Sequence, residues 1–293
     1  MSIPSLTQNL TTIADALSLR AAGFIVTLYG DAVVPRGGEV WIGTIIETCA
    51  SVGISETLVR TAVSRLVAAG QLEGWRRGRR SFYRLTERAE AEFADASRLI
   101  YGPPEVWQWR FVHLPEAGAE VRMASLERLG YARLRPTLAV GPARVPAPRG
   151  CLVFDAVPDG PDLPAFAAET WDLAPHAAAY RTILDLFAPL ERYRCDSGAE
   201  ALAARLLLVH AWRHALLRDP RLPPEALPLD WPGHAARSLF HRLYAVLSPA
   251  ADSHVGTRFE GPQGRLALIP ARHAEARETE ANQGIDAEVR RLA

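Results

Sequence analysis

The sequence predicts an α+β protein made of several domains, and three observations support that prediction. The chain has 293 residues, enough for two or three domains that each bury a core. Residues 39–85 carry two helices with apolar stripes and then an arginine-rich hairpin. Strands and helices alternate through a middle region, and the last third has only helical periodicity. Because the hydrophobic pattern changes twice along the chain, we expect three folded parts.

The composition is that of an ordinary globular protein, with 48% hydrophobic and 23% charged residues and a formal net charge of zero. All 33 Lys+Arg residues are Arg, so the choice of Arg over Lys at one position carries little information. Cys49, Cys151 and Cys195 form no CxxC pair, which favours reduced thiols. No apolar run could span a bilayer and no signal peptide is recognisable. We therefore expect a cytoplasmic protein with no membrane partner.

A helix is predicted from Val40 to Val52, because apolar residues recur there at helical spacing. Gly53 follows it, and the freedom of glycine to adopt a left-handed backbone suits the end of a helix. A glycine-containing turn therefore separates this helix from the next. The predicted buried stripe consists of Ile42, Ile45, Ile46, Cys49 and Val52.

The second helix begins after Ser55, a residue type that favours the N-cap position. Opposite its apolar stripe lies a short, polar and partly cationic face without a bulky apolar residue. Hydroxyl and guanidinium groups on such a face can contact base edges and phosphates in the major groove of DNA. The predicted stripe is Val59, Val63, Leu66, Val67 and Gly70. The residues predicted to contact DNA are Ser55, Thr57, Arg60, Thr61, Ser64 and Arg65.

An arginine hairpin, residues 71–85, follows the second helix. Gln71–Trp75 and Ser81–Leu85 have the composition of two strands, with Gly78 as the turn residue between them. Arginines crowded at one tip repel one another unless an anion is present, and DNA phosphate is the obvious anion. The alternative is a helical hairpin with a solvated basic loop. The residues predicted to contact DNA here are Arg76, Arg77, Arg79, Arg80 and Tyr83.

Helix, turn, helix and hairpin in this order predict a winged helix-turn-helix DNA-binding domain over residues 21–100. Its first helix is expected at Ala21–Val34, after an N-terminal arm formed by residues 1–20. Thr86 is expected to cap a last helix that ends near Leu99. The residues expected to turn inward from the first helix are Phe24, Ile25 and Leu28.

The middle region, residues 105–172, is predicted to be a ferredoxin-like α+β domain, because a strand, a helix, two strands and a helix follow one another. Such domains commonly pair through their sheets, so we expect a homodimer and assign dimerisation to this region. Residues 173–270 are predicted to form a helical, effector-related domain, and residues 271–293 a polar tail. The predicted middle elements are Val106–Val112, Glu116–Leu129, Tyr131–Val140, Gly150–Val157 and Pro164–Trp171. The predicted later helices are Ala174–Tyr193, Ser197–Leu217 and Gly233–Leu247.

Several short motifs are distributed along most of the chain: Leu28–Asp31, Trp41–Gly43, Val59–Leu66, Gly78–Thr86, Leu217–Pro224, Leu227–Pro228 and Asp230–Gly233. Together, and in this order, they resemble the PaaX family of bacterial repressors of phenylacetate-degradation genes. The resemblance implies a repressor that binds double-stranded operator DNA and is relieved by an aryl-coenzyme A thioester, typically phenylacetyl-coenzyme A.

Few side chains are candidates for holding such an effector. Trp107 and Trp109 could pack on an aromatic acyl group, although aromatic residues on a strand more often belong to a core. His210, Arg213 and His214 could bind the phosphates of coenzyme A, although facing solvent or pairing with acids is the commoner role. His210 and His214 lie four residues apart but lack the further ligands of a zinc site. We expect no metal and no cofactor.

No nucleophile–base pair, phosphate-binding loop or dinucleotide fingerprint is recognisable, so we predict no catalytic residues and no enzyme activity. Asp31 has no obvious partner and is expected to end a helix. The leading interpretation is a homodimeric transcriptional repressor. Two alternatives stay open: an enzyme that acts on acyl-coenzyme A with an accessory winged domain, and a winged domain that binds proteins instead of DNA.

Overall fold

The computed structural model describes residues 6–102, 108–143, 149–158, 160–193, 195 and 197–267. Its helices and small antiparallel sheets confirm the predicted α+β class. The described residues form two compact units. The first unit draws on the described parts of residues 1–103, 185–213 and 238–293, and the second on the described parts of residues 104–184 and 214–237. The predicted domain limits stay a prediction, and the predicted tail, residues 271–293, lies outside the described residues.

The first unit opens with two helices, α1 (Leu6–Ala16) and α2 (Ala21–Leu28). The chain continues through a π-helical turn, Tyr29–Val33, and a 3-10 turn, Val34–Arg36. The helix predicted over residues 21–34 is therefore present, but its winding changes after α2. The residues predicted to face inward are all buried: Phe24, Ile25 and Leu28.

A two-residue strand, β1 (Val40–Trp41), precedes helix α3 (Ile42–Ala50). The prediction that the helix begins at Val40 is therefore wrong. Val40 pairs with Tyr83 in an antiparallel ladder and is fully buried. Pairing with a strand far along the chain overrides the local helical pattern here. Gly53 has a φ of +83°, which confirms the left-handed backbone predicted after this helix.

Helix α3 turns its predicted stripe towards the core. Ile42, Ile45, Cys49 and Val52 are buried, and Ile46 is half-buried. Burial raises the pKa of the Cys49 thiol to about 12, so this thiol stays protonated at neutral pH. The prediction that Cys49 is a small core residue is confirmed.

Helix α4 (Glu56–Ala68) leads into the two strands of the arginine hairpin, β2 (Leu72–Arg77) and β3 (Arg80–Leu85). Their antiparallel pairing continues to Arg77 opposite Arg80, so both strands are longer than predicted. Gly78 has a φ of +61°, the left-handed conformation that its place in the turn requires. Together the strands form a sheet of order β1-β3-β2.

Helix α5 (Glu87–Tyr101) closes the N-terminal part of the first unit. Thr86 occupies the N-cap position, and its hydroxyl accepts a hydrogen bond from the N–H of Ala89 at 3.3 Å. The predicted cap is confirmed. Capping of this kind satisfies an N–H group that the first turn of a helix leaves without a partner.

The C-terminal part of the first unit contains the 3-10 turn Ala188–Arg192 and most of two long helices, α9 (Gly198–Leu216) and α10 (Pro232–Arg258). Helix α10 runs well beyond its predicted end, although Pro249 lies inside it. The last turns are stabilised by packing, since Ala251 and Val255 are fully buried. A small hairpin follows, made of β8 (Glu260–Gly261) and β9 (Gly264–Arg265).

A buried ion cluster, made of Asp31, Arg36, Arg205 and Asp252, lies inside the first unit. Arg205 pairs with Asp31 at 2.9 Å and with Asp252 at 2.7 Å. Asp252 also pairs with Arg36 at 2.7 Å. Asp31 and Arg205 are each only 1% exposed. Burial alone would lower the pKa of Arg205, but the nearby carboxylates raise it above its ordinary value, so Arg205 stays charged.

Two phenols complete the surroundings of Asp31. The hydroxyls of Tyr101 and Tyr244 donate to Asp31 Oδ1 at 3.1 and 3.0 Å. Burial is the main reason that the pKa of each phenol lies well above its usual value, so both remain donors. The expectation that Asp31 lacks a partner and ends a helix is therefore wrong. Its partners come from α5, α9 and α10, which local sequence patterns do not connect to it.

The second unit contains a four-stranded antiparallel sheet of order β5-β6-β4-β7. Its described strands are β4 (Trp109–His113), β5 (Ala132–Arg135), β6 (Leu138–Pro142) and β7 (Leu152–Ala156). The single strand predicted over residues 131–140 is wrong, because the chain turns at Pro136 and makes two strands. Proline has no N–H group with which to continue a ladder.

Helices α6 (Ala119–Arg128) and α7 (Leu163–Thr170) accompany this sheet, and α8 (Ala174–Phe187) follows them. The indole of Trp171 donates to the carbonyl of Gly130 at 3.0 Å. One core cluster lies between the sheet and α6, and its buried members include Val112, Leu114, Met123, Leu126, Tyr131 and Ala139.

Neither a membrane span nor a metal cluster is found among the described residues. Within those ranges, no single helix is long and apolar enough to cross a membrane. Asn9–Ala16 and Ala21–Arg36 reach that length and composition only when counted together, and they are bent by 117°. No three His, Cys, Asp or Glu side chains in the described part of the chain are placed to hold a metal ion.

We expect Arg205→Leu to destabilise the protein by about 3–5 kcal/mol, because it leaves the buried Asp31 without its cationic partner. Urea denaturation followed by circular dichroism measures this loss. The matched control is Arg242→Ala, which removes the exposed pair with Glu191 and should cost less than about 1 kcal/mol. Equal losses in both variants would contradict the importance of the buried ion cluster.

Candidate nucleic-acid interface

Helix α4 buries one face and exposes the other. Val59, Val63 and Leu66 are buried, and α4 packs on α2 and α3. Val67 is 39% exposed, so its inclusion in the predicted stripe is wrong. Successive residues point about 100° apart around a helix of 3.6 residues per turn, and Leu66 already occupies the core-facing position. The buried face anchors α4 against α2 and α3, and the opposite face is exposed and can contact a partner.

All the α4 residues predicted to contact DNA are exposed. Leu58, on the same side, is 57% exposed, so the expectation that this face has no bulky apolar residue is wrong. An apolar side chain there can contact the methyl group of thymine. Ser55 has the extended backbone of an N-cap, but its side chain makes no capping hydrogen bond. The exposed predicted residues are Ser55, Thr57, Arg60, Thr61, Ser64 and Arg65.

Some polar groups on this face already bond within α4. Arg60 donates from Nε to Glu56 at 2.8 Å, and the hydroxyl of Thr61 donates to the carbonyl of Thr57 at 2.9 Å. An exposed pair such as Arg60–Glu56 contributes little and is easily exchanged for another anion. Arg65 makes no ion pair with any residue that the structure describes. The guanidinium groups of α4 are therefore available to bind another anion, because breaking the Arg60–Glu56 pair loses little free energy.

The arginine hairpin is held rigid by packed aromatic rings. Trp75 and Phe82 stack across the strands, with ring centroids 6.2 Å apart. Tyr83 lies over Gly74, where an added Cβ would stand 2.5 Å from the tyrosine ring. Any larger residue at position 74 would therefore push Tyr83 away. The predicted contact residue Tyr83 is half-buried, and the four predicted arginines of the hairpin are exposed.

A cleft of about 380 Å³ separates α4 from the arginine hairpin. Its apolar lining includes Ile42, Val63 and Trp75. Its polar lining brings together predicted contact residues from two separate stretches of sequence, Arg60 and Ser64 with Arg76 and Tyr83. Ser81 lines the cleft as well and is not among the predicted residues. Hydroxyl and guanidinium groups that converge on a cleft suit a phosphodiester backbone.

Two of the four arginines that flank the turn of the hairpin are engaged by the chain's own acceptors. Arg80 pairs with Glu260 and lies over the ring of Trp41, 4.7 Å from its centroid. Arg77 donates to the carbonyl of Pro262. Arg76 and Arg79 make no ion pair or hydrogen bond with the residues that the structure describes. The sequence pattern predicts only solvent or an anion around the turn. It does not show these contacts, because Glu260 and Pro262 lie far along the chain from the hairpin.

The fifth arginine of the hairpin, Arg84, also has acidic partners. Arg84 donates to Glu73 at 2.5 Å, and Glu39 lies 3.6 Å from the same guanidinium. The hydrogen bond that Arg84 donates to Glu73 is the main reason that the pKa of Arg84 is raised. Arg84 therefore has carboxylate partners on the sheet itself, away from the turn at Gly78.

The predicted effector residues do not form one group. Trp107 lies outside the described residues, and Trp109 is buried in the second unit with its ring 5.7 Å from that of Trp171. In the first unit, His210 forms a 3.0 Å hydrogen bond with Thr27, and Arg213 donates to the carbonyl of Gly23 at 3.2 Å. Both contacts tie α9 to α2, and desolvation lowers the pKa of Arg213. His214 is exposed.

The structure also contains an apolar cavity that the sequence did not indicate. It has a volume of about 680 Å³ and lies in the first unit between α9, α10 and the segment that follows Leu190. Small residues at Ala201, Ala204 and Ala250 leave this space open. Arg242 and Glu191 are among the few charged residues that line it. None of the described effector candidates lines it.

The chain is similar in sequence to known proteins. Residues 20–89 match the family described as PaaX-like protein, and residues 171–257 match the PaaX-like protein C-terminal domain. The chain is 32% identical over 285 residues to a protein of Escherichia coli strain K12 named transcriptional repressor PaaX, with 86% of this chain and 88% of that protein covered. That name denotes a regulator, which agrees with the prediction that this chain is not an enzyme. The chain belongs to the PaaX family.

Proposed function

We propose that this protein is a homodimeric transcriptional repressor that binds operator DNA through a winged helix-turn-helix. One observation carries the proposal: the polar face of α4 and the arginine hairpin border a single cleft. The name of the Escherichia coli relative supports the same function. In this arrangement α4 enters the major groove, and Thr57, Thr61 and Arg65 meet base edges or phosphates. The cleft receives the sugar-phosphate backbone between helix and hairpin.

The hairpin supplies affinity that does not depend on base sequence. Its guanidinium groups neutralise phosphates and release bound cations, so their contribution falls as salt rises. An arginine at the turn can also enter a narrow minor groove. Base contacts from α4 then select the operator from other duplex sites. A repressor of aromatic, phenylacetate-type catabolic genes would need both properties.

Arg79→Ala with Arg80→Ala should weaken binding to every duplex sequence and flatten the salt dependence of the binding constant, by up to about 2 in logarithmic slope. Mobility shift on the protein's own upstream region and on a scrambled duplex, at several salt concentrations, measures both effects. Arg88→Ala with Arg98→Ala, which removes two exposed arginines of α5, serves as the control. A changed sequence preference with an unchanged slope would contradict the assignment of the hairpin.

Dimerisation through the second unit is part of the proposal. Strand β7 lies at the edge of the sheet, and its Leu152 and Phe154 are 64% and 57% exposed. An apolar edge strand of this kind offers unpaired backbone groups and large side chains to a second copy. The strand order, with the first strand inside the sheet, supports a ferredoxin-like interpretation.

We expect Phe154→Glu to halve the mass that light scattering measures for the wild type, because a buried and unpaired charge opposes strand pairing. Val121→Glu places the same charge on an exposed residue of α6 and should leave the mass unchanged. A wild type that is monomeric at working concentration, or a Phe154→Glu variant of unchanged mass, would refute pairing through β7.

The proposed effector is an aryl-coenzyme A thioester such as phenylacetyl-coenzyme A. The family resemblance suggests the thioester, and the apolar cavity beside α9 and α10 has a volume typical of ligand sites. The aryl group would occupy this cavity. For relief of repression, the ligand must bind the DNA-free arrangement more tightly than the DNA-bound one.

Phenylacetyl-coenzyme A should weaken operator binding by about 5- to 150-fold, whereas coenzyme A alone should not. Ala250→Phe, at an exposed position lining the cavity, should abolish this response and leave DNA binding without effector unchanged. Titration in a mobility shift assay, together with a free-thiol assay, measures response and hydrolysis. Release of thiol at enzymatic rates would instead favour the acyl-coenzyme A enzyme.

A further inference from the structure

A strap formed by residues 259–267 follows α10, passes beside the arginine hairpin and ends near Arg36. At its start, Phe259 is buried. The N–H of Leu266 donates to the carbonyl of Phe259 at 3.1 Å, which closes the small β8–β9 hairpin on itself. At its far end, Arg36 donates from Nε to the carbonyl of Ala267 at 3.0 Å. The strap is thus fastened at both ends.

The middle of the strap contacts the N-terminal elements. The N–H of Glu260 donates to the hydroxyl of Thr44 at 3.4 Å. Gly261 lies so close to the chain that an added Cβ would stand 3.3 Å from the carbonyl of Glu39. These contacts set β8 beside β1 and hold the carboxylate of Glu260 near the hairpin tip.

The strap supplies oxygen acceptors to the very cations that the hairpin would offer to DNA. The carboxylate of Glu260 meets Arg80, and the carbonyl of Pro262 meets Arg77. Carboxylate and phosphate oxygens are chemically similar acceptors for a guanidinium group. Arg80 has a single guanidinium group, which also lies over the ring of Trp41, so Glu260 and a phosphate compete for the same donors.

We infer that the strap is a built-in competitor for the DNA backbone, with Glu260 standing where a phosphate would bind Arg80. This inference rests on the proposed function and adds a regulation of its site. The strap lowers the affinity of the hairpin for duplex DNA. Arg76 and Arg79 are then the arginines near the turn that contact the DNA first.

Arg36 joins the strap to the buried ion cluster. A change in that cluster would therefore alter the position of the strap beside the hairpin.

The pair itself is exposed, with 52% of the Arg80 side chain and 36% of the Glu260 side chain accessible. Exposed ion pairs are weak, and phosphate at high local density can displace them. The competition therefore tunes affinity and does not block binding outright. The opposite arrangement, in which the strap with its exposed Arg265 adds contacts to DNA, makes the opposite prediction for a Glu260 variant.

The experiment compares binding of a random-sequence duplex at low salt by the full chain and by Glu260→Gln, which keeps the shape of the side chain and removes its charge. We expect the variant to bind about two- to fivefold more tightly, in line with the strength of an exposed ion pair. The gain should vanish when Arg80 is replaced by alanine in the same chain, because the two side chains are coupled.

Glu73→Gln is the matched control, since Glu73 is an exposed acid of the same hairpin that pairs with Arg84. Its effect on binding should be smaller and should persist after Arg80→Ala. Weaker or unchanged binding by Glu260→Gln, or a gain that survives Arg80→Ala, would overturn the inference. Failure of every chain, the wild type included, to bind duplex DNA would instead overturn the proposed function.

Discussion

The buried pair between Asp31 and Arg205 is the interaction on which the first unit depends. Two opposite charges that are almost wholly removed from water are tolerable only together, because either one alone would carry a large desolvation penalty. Further residues contact this pair. Tyr101 of α5 and Tyr244 of α10 donate hydrogen bonds to Asp31, and Asp252 links the pair to Arg36. Elements far apart in the sequence must therefore assemble around one carboxylate.

This constraint explains how the C-terminal helices support the candidate interface without lining its cleft. Helix α9 reaches α2 through the bonds of His210 to Thr27 and of Arg213 to Gly23. Helix α2 in turn supports the buried side of α4. The C-terminal helices thus reach α4, which lines the candidate interface, through α2. Under the proposed function, a ligand beside α9 and α10 could alter that support, since it would touch the same helices.

Local patterns in the sequence predicted the parts of the structure that local physics determines. The burial of Val59, Val63 and Leu66 in α4, the left-handed glycines at Gly53 and Gly78, and the cap at Thr86 depend on a few neighbouring residues, and the structure confirms them. Local periodicity assigns Val40 to a helix, because it cannot show that Val40 pairs with Tyr83 in the hairpin. For the same reason, the local pattern shows no partner for Asp31. Such pairings are visible only when distant segments come together.

Only part of the candidate interface could be predicted from the sequence. The exposure of Arg60, Ser64 and Arg76 follows from helical and hairpin periodicity, and the structure brings these residues to one cleft. The exposure of Leu58 could have been predicted from its position opposite the stripe. The engagement of Arg77 and Arg80 by the strap could not, because Glu260 and Pro262 lie beyond a long helix whose end the sequence did not indicate.

Amide hydrogen exchange of the full chain, with and without a duplex from its own upstream region, shows whether α4 and the arginine hairpin together grip duplex DNA. If they do, exchange slows in the presence of DNA over residues 55–65 and 74–83, on both sides of the cleft. Unchanged exchange in both segments, with protection confined to the sheet of the second unit, would mean that DNA does not bind in this cleft.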